Sequence, residues 1–255
     1  MATIHAIDVV LPAHNEEEAI GDVLREFYRI AHEKDGIDLR LVVAEDGSTD
    51  RTREVVETVG QDFPVLLLAK APRKGYSRGV LDGLRATSAP LISFSDSDGQ
   101  CDPSDLVRLL NHLDGFDMVV GYRKPRGDSL FRRAISRAFR VVYEALFPVR
   151  LHDPSCPFLI IRREALSRVL EGSPGILRQG FWWEFNARAN AAGLHVNEIP
   201  VHHRTRTAGK TQVYHLQKVP RIAIEHIRGL FQLRRELIAL KNWRTDDRSL
   251  RRVLD

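Results

Sequence analysis

At 255 residues the chain can form one α/β domain with a sizeable core, or one domain plus an appendage, and its 43% hydrophobic and 28% charged residues are those of a soluble globular protein. Two cysteines give no disulfide framework and no zinc pattern, so a reducing cytosol is expected, and no stretch approaches the roughly 18 apolar residues of a membrane-spanning helix. The N-terminus enters a strand-like run almost at once, without the layout of a signal peptide. The net charge of +4 hides a division: residues 123–150 carry +6 and residues 204–255 carry +8, which leaves −10 for the rest. A basic surface for phosphates, acidic lipid headgroups or nucleic acid would look like this, and so would a solvated helix face.

In chain order, Ala6 to Ala13 reads as a buried strand closed by Pro12. Asn15 is the expected N-cap of a helix running toward His32, with Glu16, Glu17 and Glu18 in its first turn. Leu39 to Glu45 is a second strand, and Asp46-Gly47-Ser48-Thr49-Asp50 is the turn that starts the next helix. Val65 to Ala69 is a third strand. Lys74 to Ala86 is expected to be helical, with Gly75, Gly79 and Gly83 at four-residue spacing allowing close approach of a strand or ligand. A fourth strand begins at Leu91 and ends in Asp96 and Asp98; Leu106 to Leu113 is helical and Asp117 to Gly121 is a fifth strand. Strands alternating with helices imply an α/β fold with a mostly parallel sheet covered on both faces. Ligands of such sheets bind beyond the carboxyl ends of the strands. Pro12-Ala13-His14-Asn15, Glu45-Asp46-Gly47 and Asp96-Ser97-Asp98 all fall at those ends, and that rim is the expected site.

Asp96 and Asp98 carry the chemistry of the rim. Residues i and i+2 of an extended backbone point the same way, so the two carboxylates can share one face. Such a pair suits Mg²⁺ or Mn²⁺, which is usually held by one or two carboxylates plus substrate phosphates. Asp-x-Asp-Gly is also ordinary turn chemistry ahead of the helix that begins near Pro103.

Beyond the fifth strand, Leu130 to Phe147 is an amphipathic helix with Arg132, Arg133, Arg137 and Arg140 among Phe131, Ile135, Phe139, Val142 and Leu146. It can lie in a membrane interface or pack on the core. Leu159 to Arg162 and Val196 to Val201 are further strands, and a helix runs from Phe181 to Ala192. Within it, Glu184 stands among aromatics. Desolvation would raise its pKa and tune it as a base, while pairing with one of the many arginines would make it structural. A neutral hydroxyl needs such a base to become a nucleophile; a phosphate monoester is already largely ionised at pH 7 and needs none. His202 and His203, as strand neighbours, point to opposite faces and do not make a metal site. Gly209-Lys210-Thr211 is not a P-loop, since position 204 is arginine where a glycine is required. His215 to Leu240 reads as a basic amphipathic helix interrupted at Pro220 and Gly229.

Leu-Pro-Ala-His-Asn-Glu-Glu, Glu-Asp-Gly-Ser-Thr-Asp, Lys-Gly-Tyr-Ser-Arg-Gly, Ser-Asp-Ser-Asp-Gly-Gln and Val-Gly-Tyr-Arg follow one another over residues 11–123. That ordered series resembles the GT-A glycosyltransferases of family 2, in particular the dolichyl- and polyprenyl-phosphate sugar synthases. The resemblance implies a Rossmann-like GT-A catalytic domain over 1–212 and a basic helical extension over 213–255. It implies a nucleotide-sugar donor, with Pro12, Ala13, Asn15 and Glu16 at the nucleoside, Asp46 near the base, and Lys74, Ser97 and Gln100 in the same pocket. Asp96 and Asp98 would hold the Mg²⁺ or Mn²⁺ and the diphosphate, and Arg206 and Lys210 would close over it. Arg123 and Arg132 match arginines that contact the acceptor phosphate, and Asp153 and Ser155 lie in the acceptor loop. Departures from the pattern are Glu45 for aspartate, Pro157 in the acceptor loop, and Gln212 for lysine, which leaves Lys210 or Arg204 to supply that charge. The activity implied is inverting, metal-dependent transfer of a hexose from GDP-mannose or a UDP-hexose to a polyprenyl or dolichyl phosphate, at the cytoplasmic face of a membrane. Any bilayer contact would be peripheral or through a membrane-anchored partner. The rival readings are a family-2 enzyme with a soluble hydroxyl acceptor and Glu184 as base, and a nucleotide-sugar binding module without turnover. Paired carboxylates do not favour a nucleic-acid groove.

Overall fold

Apolar residues on both faces make the strand Ala6–Ala13 (β1) a buried one. Val9 and Leu11 point to one side, Val10 to the other, and all three are fully buried. The computed structural model describes residues 6–69, 72–124, 130–172, 174–177, 180–205 and 225–240, with backbone alone at 34, 130–136 and 138. The other strands are Asp38–Glu45 (β2), Val65–Ala69 (β3), Leu91–Phe94 (β4), Met118–Arg123 (β5), Leu159–Arg162 (β6) and Val196–Val201 (β7). They form one seven-stranded sheet in the order β3-β2-β1-β4-β6-β5-β7. β6 is antiparallel to both its neighbours; every other pairing is parallel. The chain winds outward from β1 through β2 to β3 and then returns to lay β4 on the other side of β1. The crevice at that reversal is where open α/β sheets bind ligands.

Two apolar layers cover the sheet. On one face lie Ile20–Phe27 (α1), Thr52–Val59 (α2) and Ser104–Asn111 (α4), through Leu24, Phe27, Val56, Val59, Leu106 and Leu109. On the other lie Tyr76–Ala86 (α3), Arg163–Val169 (α6) and Phe181–Ala191 (α7), through Val80, Leu84, Leu166, Trp182 and Phe185. Gly83 lets α3 sit directly on β1, since a Cβ there would lie 2.5 Å from Val10 Cγ1. A third cluster joins Leu130–Leu146 (α5) to α7 and to a helix over 225–240 (α8), through Tyr143, Phe147, Leu177, Leu230 and Leu233. In its described part, α5 therefore turns Tyr143 into protein, as does Phe147 just after it, while Val141 stays 63% exposed. No helix of the described residues is long and apolar enough to cross a membrane.

Four local expectations change. Asn15 does not cap α1, which begins only at Ile20; its φ is +55° and it joins two loops instead. α3 begins at Tyr76 rather than Lys74, because Gly75 before it has φ +94°. α6 was not expected at all. Gly229 does not interrupt α8; it is a close-approach position, where a Cβ would meet Leu177 Cδ2 at 2.5 Å. Pro220 lies outside the described residues.

Candidate active site

Three loops leave the carboxyl ends of β1, β2 and β4, and the first two are laced together by polar side chains. Asn15 N–H donates to Ser48 Oγ (3.1 Å), and Asn15 Oδ1 accepts from Thr49 N–H (2.8 Å). Glu16 N–H donates to Thr52 Oγ1 (2.9 Å) and Glu17 N–H to Asp50 Oδ2 (3.2 Å). Glu45 accepts from Ser48 N–H. Asp46, buried at the end of β2, accepts from the N–H groups of Lys74 (2.6 Å) and Gly75 (2.8 Å), so it fixes the loop that starts α3. Gly79, one turn on, packs against it, and a Cβ there would meet Asp46 Cβ at an ordinary contact distance of 3.7 Å. The Lys74 ammonium turns away to Asp82 Oδ2 at 3.0 Å.

At the end of β4 the pattern is different. Buried Ser97 donates its hydroxyl to Pro12 C=O (2.7 Å), which ties this loop to β1 and pins the residue between the two acids. Asp98 Oδ1 accepts from Gln100 N–H (3.1 Å) across Gly99, whose φ is +75°. Asp96 Oδ1 accepts from the Tyr76 hydroxyl (3.1 Å). Tyr76 in turn accepts from the indole N–H of Trp182 (2.9 Å). An indole can only donate, so the single phenolic proton is directed at Asp96. Burial first, and then the charge of Asp98, push the Asp96 carboxyl up to about 7, with Tyr76 and Arg123 acting in the opposite sense.

Asp96 lines a cleft of about 340 Å³, its open mouth included, with Gln100, Arg123, Pro157 and His203 among the other walls. Arg123 forks onto Asp153 through Nε (2.7 Å) and Nη2 (3.1 Å), and Nη2 also donates to Ser155 Oγ (2.7 Å). Arg123, Asp153 and Ser155 thus form one cluster, and Arg123 shares the cleft with Asp96. Cys101 and Cys156 are free and buried beside it; burial raises both thiols, Cys156 to about 12, so neither offers a thiolate. Among the described residues no group of three or more His, Cys, Asp or Glu side chains could hold a metal ion. The donor set of Asp96 and Asp98 nevertheless fits a dication, which relieves the repulsion between two hard carboxylates and takes its remaining ligands from substrate oxygens and water.

Glu184 is placed otherwise than a base would be. It is fully buried, its Oε1 bound to Arg188 Nε (2.8 Å) and Gly175 N–H (2.9 Å) and its Oε2 to Leu177 N–H (2.8 Å). Pairing with an arginine is the reading that the geometry matches. Through those bonds Glu184 shapes the 174–177 loop, whose Leu177 C=O receives the hydroxyl of Ser77 next to Tyr76 (3.0 Å). Arg204 is engaged as well, with Glu26 and Asp102 both at 2.9 Å. Its backbone pairs with the acid-bearing loop: Arg204 N–H donates to Gln100 C=O (2.8 Å), and Cys101 bridges His203. His202 and His203 both line the cleft, and His202 Nδ1 lies 3.1 Å from buried Asp105. Arg206, Lys210 and Gln212 lie outside the described residues, as does the side chain of Arg132.

Tyr76 and Trp182 were missed as site residues. Both stand inside motifs visible in the chain, Lys-Gly-Tyr-Ser and Phe-Trp-Trp-Glu, but they meet across 106 positions, and only the packing of α7 against β4 brings them together.

Comparison with known proteins agrees with this architecture. An uncharacterized glycosyltransferase of Mycobacterium tuberculosis is 34% identical over 215 residues, 82% of this chain and 89% of its own. The undecaprenyl-phosphate 4-deoxy-4-formamido-L-arabinose transferase of Salmonella paratyphi B is 28% identical over 214 residues, 83% of this chain and 63% of its own. In fold, the chain resembles glucosyl-3-phosphoglycerate synthase from Mycobacterium tuberculosis solved with Mn²⁺, UDP-glucose and phosphoglyceric acid: TM-score 0.64, 23% identity, 90% of this chain and 80% of that one covered. The same enzyme solved with Mg²⁺ and UDP gives a TM-score of 0.63 at 23% identity, with 90% and 79% covered. The model of glycosyl transferase family 2 matches residues 8–170, and the chain, a glycosyltransferase, belongs to that family.

Proposed function

We propose that the chain transfers a hexose from a nucleotide diphosphate sugar to a polyprenyl phosphate, with inversion. One observation carries the choice of acceptor: Glu184, the carboxylate best placed in the sequence to activate a hydroxyl, has both oxygens engaged by Arg188 and two backbone N–H groups. A phosphate needs no such activation, because it is already anionic at pH 7. An acceptor phosphate oxygen forms the new bond to the anomeric carbon, the bond from that carbon to the diphosphate oxygen breaks, and the nucleoside diphosphate leaves with the electron pair.

Each part of the cleft has a task in that reaction. Asp96 and Asp98 would hold a divalent cation which, when bound, neutralises the departing diphosphate. Tyr76 keeps Asp96 turned toward it. The Arg123 guanidinium, held flat by Asp153 and Ser155, faces the acceptor phosphate as a multi-donor cation. The rim built by Pro12, Ala13, Asn15, Glu16 and Asp46 receives the nucleoside. Support for donor and metal comes from the fold relative that binds UDP-glucose with Mn²⁺, and for the acceptor from the relative named as an undecaprenyl-phosphate transferase. The work would be done at the cytoplasmic face of a membrane, by peripheral contact.

A soluble acceptor is the second reading, favoured by the phosphoglyceric acid in the fold relative. A panel of GDP- and UDP-sugars, each offered with a short polyprenyl phosphate or with soluble hydroxyl acceptors, separates the two. Sugar transfer confined to the lipid phosphate is expected; equal or better transfer to a soluble hydroxyl would overturn the proposal.

A further inference from the structure

Helix α8 has two apolar faces. Leu230, Leu233 and Leu237 turn inward, onto α5 and α7. Ile227, Phe231 and Ile238 turn outward and are 40%, 51% and 50% exposed. At 100° per residue these three fall within an arc of roughly 40°, a continuous ridge along the helix. Arg234 borders the ridge on one side, and Arg235 and Arg228 on the other, all exposed. The acids of the helix lie elsewhere: Glu236 is turned inward onto Arg188 (3.1 Å), and Glu225 is on the far flank. Isolated exposed apolar side chains are ordinary on a soluble protein, but three large ones in register between arginines are not scattered.

We propose that this ridge is a membrane-docking surface, seated in the headgroup region of an anionic bilayer. Aromatic and aliphatic side chains at the interface with arginines alongside are what that environment selects, the apolar groups entering the acyl boundary and the cations meeting lipid phosphates. The arginine borders, with no acid of the helix beside them, give the ridge the charge that complements an anionic lipid surface. The placement also suits the chemistry. The first turn of α8 reaches the start of α7, where His226 Nε2 would lie 3.2 Å from a Cβ on Gly180, two residues before the tryptophan that holds Tyr76. Contacts through α7 therefore link the first turn of α8 to the tyrosine that bonds Asp96. Only its purpose, delivering the cleft to a lipid-borne phosphate, rests on the acceptor reading above.

The test is flotation of the full chain with vesicles of phosphatidylcholine alone or with added phosphatidylglycerol, beside Phe231→Glu/Ile238→Glu and Arg228→Gln/Arg235→Gln variants. Folding of each is checked by circular dichroism and thermal melting. The wild type is expected to float with the anionic vesicles only and to lose binding as salt rises. The apolar double variant is expected to bind about tenfold or more weakly, and the arginine variant to weaken by about tenfold with a shallower salt dependence. Both variants keep wild-type turnover on a water-soluble, short-chain polyprenyl phosphate. No partition by the wild type, equal partition by folded variants, or a wild-type dimer that the ridge substitutions dissociate would overturn the proposal. Failure of the wild type to glycosylate the short acceptor would instead strike the acceptor reading, while the vesicle result still reports on the ridge.

Discussion

The two strands that flank β1, β2 and β4, lead into acidic pairs that have opposite fates. Glu45 and Asp46, at the end of β2, give their oxygens to the N–H groups of Ser48, Lys74 and Gly75 and hold loops in place. Among the described residues Asp96 and Asp98, after β4, each accept from one donor, a tyrosine hydroxyl and the Gln100 N–H, and burial first, then the charge of Asp98, pushes Asp96 up to about 7. Side-chain type does not separate the pairs; the supply of nearby donors does. A carboxylate wrapped by backbone N–H groups is scaffold, whereas two carboxylates facing each other at a cleft repel one another until a cation relieves them. Glu184 belongs to the first group, for the same reason.

That contrast can be broken from either side. The largest effect is expected from Asp98→Asn, which removes charge from the site without touching the core: transfer should fall on the order of a thousandfold while the melting temperature hardly moves. A variant that keeps its rate would remove Asp98 from the chemistry. Glu184→Gln should do the reverse. It leaves the 3%-exposed Arg188 without its 2.8 Å partner, a change costing about 3 kcal/mol in a urea melt, while the folded enzyme keeps turnover within a few-fold. A rate collapse at unchanged stability would restore Glu184 as a base. Asp46→Asn should cost about 2 kcal/mol, because the new amide points a donor at an N–H that previously had an acceptor. Smaller effects are expected at the tyrosine and the indole, first from Tyr76→Phe. With the hydroxyl gone from Asp96, Mn²⁺ affinity measured with nucleoside diphosphate should weaken by about tenfold, with little change in stability. Trp182→Phe should reproduce part of that loss, since the indole directs the tyrosine proton.

Much of the scaffold was legible because its signals are local. Strand runs such as Ala6–Ala13, Val65–Ala69, Leu159–Arg162 and Val196–Val201 are bounded by turns or charged residues, and the structure reproduces them to the residue. The rim was legible too, since acids following apolar strands fall at carboxyl ends by construction. What the chain hid were partnerships between distant segments. Asn15 has the composition of a helix cap, but its partners, Ser48 and Thr49, come from the next loop. Arg204 looked available until Glu26, 178 positions away, was found against it. α6 starts directly after β6, with no loop to announce it, so a strand pattern runs into a helix without a boundary. Tyr76 lay in plain sight inside a motif, and nothing short of the folded sheet could show that its hydroxyl reaches Asp96.

The measurement that bears most directly on the central claim is calorimetric titration of a nucleoside diphosphate, with and without Mn²⁺, into the wild type and Asp96→Asn. The wild type should bind about tenfold or more tightly with the metal, and the variant should show the same affinity in both conditions. If Asp96→Asn keeps the full gain from Mn²⁺, the paired acids after β4 are not where the metal and the diphosphate meet.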